Sequence, residues 1–139
     1  MNLDRGIATM ARELVESQQQ KTPDHLAESE YRSLCESLPI LLRTAGLTRT
    51  ITFLDAKKKA DRSGQSNKQG VLLDHLSQQL LAMDVYSNPK QRILELPRLV
   101  TSKDLSTPDY RHISSLAFRV AYWHKRLAQA LLRQREGGR

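Results

Sequence analysis

The chain has 139 residues, with 22 Lys and Arg against 15 Asp and Glu, a net charge of +7 and a single cysteine. That length fits one domain able to bury a core without a metal or disulfide staple. One cysteine excludes an internal disulfide, and apolar runs of no more than four residues exclude a membrane helix, which needs about 20.

Apolar residues recur at helical spacing almost throughout and strand-like alternation is absent, so the expected fold is all-α: a compact single-domain bundle of about five to six helices, residues 1–139, with a long C-terminal helix. Met1-Asn2-Leu3-Asp4 carries no signal-peptide pattern, and a soluble, cytoplasmic protein is expected. The first helix runs from Asp4, its cap, to about Gln19, with Ile7, Met10, Ala11 and Leu14 on one face. A second begins near Asp24 and carries Tyr31, Leu34, Cys35 and Leu38 inward. Pro39 should kink it or start a new helix, because proline lacks the N–H and clashes with the preceding turn. Ile40, Leu41, Leu42 and Ala45 continue the apolar face to Gly46, a natural stop.

The third helix, Leu47 to about Ala60, turns Leu47, Ile51 and Leu54 inward and ends in Lys57-Lys58-Lys59, cations that suit a helix C-terminus. Residues 61–70 read as a loop, open to disorder, and the fourth helix spans Val71 to Val85 with Leu73, Leu76, Leu80 and Met83 buried. Pro89 and Pro97 break up residues 86–106, which should hold one short helix. Thr107 then caps the last helix, with Pro108 and Asp109 in its first turn. This helix runs to about Arg135 and points Ile113, Leu116, Ala117, Val120, Trp123, Leu127 and Leu131 inward. Residues 136–139 form a frayed tail.

The charge is unevenly placed. Residues 1–56 hold 6 Lys/Arg and 8 Asp/Glu, whereas residues 57–68 are net +4 and residues 107–139 net +5. Local excess of this kind fits a polyanionic partner. On the last helix His112, Ser115, Arg119, Tyr122, Arg126, Gln129 and Arg133 follow three- and four-residue steps and share one face. Arginine forks pair with phosphate, and a tyrosine among them can stack on an exposed base. The bland alternative is a solvated face. Lys57, Lys58, Lys59, Arg62 and Lys68 form a second basic candidate, and Arg43 and Arg49 flank Gly46, where they could join either. The sequence offers no catalytic residues, no metal-ligand set and no cofactor motif. The four histidines lack metal spacing, Asp74-His75 reads as a helix-surface pair, and Cys35 reads as a buried small hydrophobe.

Two stretches carry a family resemblance. Tyr31-Arg32, Leu38-Pro39, Arg43, Gly46-Leu47, Phe53-Leu54 and Lys57–Lys59, followed by Tyr110-Arg111 and Tyr122-Trp123-His124-Lys125-Arg126-Leu127-Ala128, resemble the signatures of the small subunit of the type III-B CRISPR effector (Cmr) complex. Ser114-Ser115 stands where that family commonly has an acidic residue, and His124 where it has an apolar one. The resemblance implies a helical, non-catalytic subunit. Copies of it would stack head to tail as a minor filament beside the backbone and large subunits, lining the groove that holds crRNA and target RNA. With the basic faces read above, the expected RNA-facing residues are Arg119, Tyr122, Arg126, Arg133, Lys57, Lys58, Lys59, Arg62, Arg43, Arg49, Arg111 and Lys125. The small subunit of a type III-A or type I complex would share fold and role. A helix-turn-helix DNA-binding regulator built on residues 39–60 is the rival of a different class, although Ile51 and Leu54 belong to the core. An adaptor that never touches nucleic acid is the third.

Overall fold

The computed structural model describes residues 3–21, 25–60, 67–83 and 95–133. Every regular element within them is a helix: α1 (Leu3–Lys21), α2 (His25–Ala45), α3 (Leu47–Ala60), α4 (Lys68–Ala82), α5 (Leu96–Val100) and α6 (Thr107–Leu131). This is the expected all-α architecture with a long C-terminal helix. The expectations for residues 61–66, 84–94 and the tail lie outside the described residues, as does Arg62.

Several boundaries differ from the sequence reading, each for a local reason. α2 is one continuous helix across Pro39. Leu38 and Leu42 are both buried, so core packing on either side outweighs the one hydrogen bond that proline forfeits. Gly46 does stop α2, at φ 86°, a conformation only glycine adopts cheaply. α4 begins three residues earlier than expected because Asn67 caps it, its side chain accepting from the Gly70 N–H at 2.8 Å. α6 is capped by Ser106 rather than Thr107 and ends at Leu131 rather than Arg135, where Leu132 turns extended. Asp4 lies inside the first turn of α1, not before it.

α6 is the axis of the bundle. It packs along α2 and α1, with α4 across its inner side, while α3 lies on α4 and α5. Arg43 meets Phe118, Glu36 meets Gln129 and Glu28 meets Arg133, so α2 and α6 run antiparallel. The inner face of α6 is Ile113, Leu116, Ala117, Val120, Ala121, His124 and Ala128. Trp123, Leu127 and Leu131, expected inward, instead flank the core half-buried. Alanines at 117, 121 and 128 let neighbouring helices come close, and the bulky side chains fill the edges. α1 shows the same small shift: Ile7, Ala11 and Val15 are buried, and Met10 and Leu14 only partly so.

Candidate nucleic-acid interface

The α2–α3 turn and the start of α6 are fastened to each other. The Thr48 N–H donates to the Tyr110 hydroxyl at 3.1 Å, the two hydroxyl oxygens lie 2.9 Å apart, and Thr48 Oγ1 donates to the Val100 carbonyl at 3.2 Å. Arg49 and Arg111 directly follow the two bonded residues, and Arg43 stands one turn before Gly46. All three are exposed. This end of the bundle therefore gathers arginines from three helices.

From there α6 presents an outer face. Arg111, Phe118 and Lys125 recur every seven residues, beside Ser115, Tyr122 and Gln129, and all are exposed or half-buried. Two rings on this face carry arginines. The Arg43 guanidinium sits 5.1 Å from the Phe118 centroid and that of Arg126 5.3 Å from the Tyr122 centroid. The Arg126 Nε also donates to the Tyr122 hydroxyl at 3.2 Å. Trp123 meets Tyr122 edge to face at 5.7 Å, leaving the tyrosine 41% exposed. Phe118 was absent from the sequence candidates. Its signal was available, since it lies seven residues after Arg111 and four before Tyr122, but it reads as a core residue until α2 is placed beside it.

The rest of the expected stripe is used differently. Arg119 Nη2 is 2.7 Å from Asp4 Oδ1, which ties α6 to α1. Gln129 donates to Glu36 at 3.2 Å. Arg133 grips Glu28 through Nε at 2.8 Å and Nη2 at 2.7 Å, and its backbone N–H reaches the other carboxylate oxygen at 3.2 Å. The Glu28 side chain is fully buried, so Arg133 neutralises a charge that could not otherwise stay inside. At the end of α3, Lys58 pairs with Asp74 at 3.1 Å and Lys59 with Asp55 at 3.0 Å. Lys57 instead lies 5.9 Å from the Phe53 ring, on an outer face that it shares with Arg49. Lys68 faces Glu30 at 3.9 Å. Among the described residues, then, Arg43, Arg49, Lys57, Arg111, Lys125 and Arg126 have no ion pair with a carboxylate, whereas Arg119, Arg133, Lys58 and Lys59 do.

Beneath this surface runs a buried polar chain that the sequence did not reveal. The Tyr31 hydroxyl is 2.7 Å from His75 Nδ1, and the His75 and His124 rings lie 6.2 Å apart. His124 Nε2 is 2.7 Å from Gln79 Oε1, and Gln79 Nε2 donates to the Ile7 carbonyl at 2.7 Å. Because Gln79 offers its oxygen, His124 must donate from Nε2, which leaves its buried Nδ1 as an acceptor without a partner. His75 is therefore interior, not half of a surface pair with Asp74. Burial, with His75 adding to it, pushes His124 down to about 3; burial pushes the Cys35 thiol up to about 12 and raises Tyr31. Among the described residues no three His, Cys, Asp or Glu side chains are grouped to hold a metal ion, and no helix is long and apolar enough to cross a membrane.

The signature residues thus act mainly in packing. Tyr31 anchors the buried chain, Arg32 donates to the Leu132 carbonyl at 3.3 Å, Leu38 and Leu54 fill the core and Tyr110 holds the start of α3. Comparison with known proteins bears on the family resemblance itself. A family model described as CRISPR-associated protein (Cas_Cmr5) matches residues 3–131. The CRISPR system Cmr subunit Cmr5 of Thermus thermophilus is 28% identical over 105 residues, which are 76% of this chain and 77% of that protein. A crystal structure of a CRISPR-associated Cmr5 family protein from the same organism superposes with a TM-score of 0.70 at 25% identity, covering 96% of this chain and all of the other. The resemblance carried by Tyr31-Arg32, Leu38-Pro39 and the Tyr122–Ala128 stretch holds, and the chain belongs to the CRISPR-associated Cmr5 family.

Proposed function

We propose that this protein is the non-catalytic small subunit of a cytoplasmic type III-B CRISPR effector complex for antiviral defence. Copies of it stack head to tail beside the backbone and large subunits and help to hold crRNA and target RNA. The observation that carries the RNA role is the set of cations without acidic partners among the described residues: Arg43, Arg49 and Arg111 at the Gly46 end, Lys125 and Arg126 along α6, and Lys57 along α3. A charge already neutralised within the chain adds little to phosphate binding; an uncompensated one releases counterions when it meets a phosphate. Arg119, Arg133, Lys58 and Lys59 therefore move to a supporting role in this reading, and Tyr122 stays in the interface.

Stacking would use the acidic lean of the first 56 residues against the basic last third. Part of that complementarity is already satisfied inside the chain by Asp4 with Arg119 and Glu28 with Arg133. The filament contact should accordingly be weak for the isolated protein and strengthen when RNA and backbone subunits align the copies.

Photo-crosslinking RNA within the assembled complex tests the reading. Crosslinks should fall in peptides that contain Arg43, Arg49 and residues 111–126. Crosslinks confined to the other subunits would reduce this chain to an adaptor. Purified protein should leave RNA intact with Mg²⁺, Mn²⁺ or Zn²⁺; cleavage abolished by changing one carboxylate would make it an enzyme.

A further inference from the structure

We infer that the outer face of α6 takes unpaired nucleotides and rejects closed duplex. This rests on the RNA-binding reading above and deepens it. The relevant juxtaposition is two rings one helical turn apart, Phe118 and Tyr122, each with an exposed arginine against it: Arg43 at 5.1 Å and Arg126 at 5.3 Å. The arginines come from different helices, α2 and α6, so the paired arrangement is a product of the fold. Arg111 lies toward one end of the face and Lys125 toward the other, with no described carboxylate paired to either.

Cations alone would not produce such a preference. A duplex carries more phosphate per unit length than a single strand, so a plain basic patch favours the duplex. The rings reverse that order only if a base can reach them. Bases in an A-form duplex keep their faces inside the stack, whereas an unpaired base can be splayed out and laid on an aromatic ring or on the plane of a guanidinium. Tyr122 is 41% exposed, while Phe118 is half-buried beneath the exposed Arg43, so a base can reach the tyrosine ring at one position and the guanidinium of Arg43 at the next. Each stacked base is worth roughly 5- to 150-fold in affinity. The partner is thus an unpaired RNA segment, with the arginines serving both as phosphate contacts and as stacking planes.

The test titrates full-length protein against a fluorescent 20-nucleotide unstructured RNA and against the same RNA annealed to its complement. The wild type should bind the unpaired form at least ~5-fold more tightly. Replacing Phe118→Leu and Tyr122→Leu together, which keeps apolar packing, should abolish or invert that preference while duplex binding changes less than about twofold. Tyr122→Phe keeps the ring and should keep the preference. Equal or tighter duplex binding by the wild type, or a double variant that weakens both forms alike, overturns the inference but leaves RNA binding in place. Failure of the wild type to bind either form overturns the RNA-binding reading itself.

Discussion

Arg126 lies on α6 and Arg133 seven residues further on, just past the end of that helix, and the structure gives them opposite work. Arg126 leans on Tyr122 and meets no described carboxylate, while Arg133 closes three contacts onto the buried carboxylate of Glu28. The contrast extends along the helix. Its last turns and the two residues beyond are wired inward: His124 to Gln79, Gln129 to Glu36, the Leu132 carbonyl to Arg32 and Arg133 to Glu28. The outer face from Arg111 to Arg126 is left free, apart from Arg119 at its edge on Asp4. The two arginines differ because Arg133 follows the end of α6, and because α2, running antiparallel, brings Glu28 and Glu36 to that end and Arg43 to the other.

The largest expected effect lies in the wired region and depends on pH. Burial holds His124 near 3 in the folded protein, against an ordinary value of 6.5. The unfolded chain therefore takes up a proton below about pH 6.5 that the folded chain refuses, and stability falls as pH drops through that window toward 3. The loss approaches about 1.4 kcal/mol per pH unit once the pH is well below 6.5, and amounts to roughly 2.5 kcal/mol between pH 7 and 4.5. Gln79 and His75 face the ring, and neither offers a negative charge to a protonated His124. Urea unfolding at pH 7 and 4.5 should show this drop, and His124→Gln should lose much less between the same two points. Equal losses would assign the acid sensitivity to other groups.

Next in size, Arg133→Ala should destabilise the fold by about 1.5–3 kcal/mol, since it strips charged hydrogen bonds from a buried carboxylate, discounted because the arginine is itself half exposed. Arg126→Ala should cost within ~0.5 kcal/mol. Similar denaturation midpoints for the two variants would erase the distinction between the ends of α6. The smallest effect belongs to α3: Lys59→Ala removes an exposed pair with Asp55 and should shift stability by less than ~0.5 kcal/mol and RNA affinity by less than about twofold. A larger loss of affinity would return the lysine run to the interface.

What could be read from the sequence was governed by local signals. The helices, the Gly46 stop and the inward leucines follow from spacing and from the special conformations of glycine. The start of α4 was missed because Asn67 lies beside a glycine- and serine-containing stretch, and a cap there looks like one more loop residue. The inner face of α6 was rotated because nothing local says that His124 will find Gln79, 45 residues away, and enter the core. The basic interface was half legible for the same reason. Arg126 and Tyr122 announce themselves by spacing, but whether Arg119 or Arg133 is free depends on Asp4 and Glu28, more than 100 residues distant. Periodicity finds the face of a helix; only the fold decides which charges on it are already spent.

The most direct test is the salt dependence of RNA affinity for two triple variants in the assembled complex. One replaces Arg43, Arg111 and Arg126 with Gln; the other replaces Arg119, Lys58 and Lys59 with Gln. For single strands log K falls with log salt at about 0.7 per contacted phosphate. The first variant should weaken binding and flatten that slope by about two units, while the second leaves the slope within about half a unit of the wild type. The reverse pattern, with the slope held by the first variant and lost in the second, would contradict the assignment of RNA contact to the cations that the fold leaves unpaired.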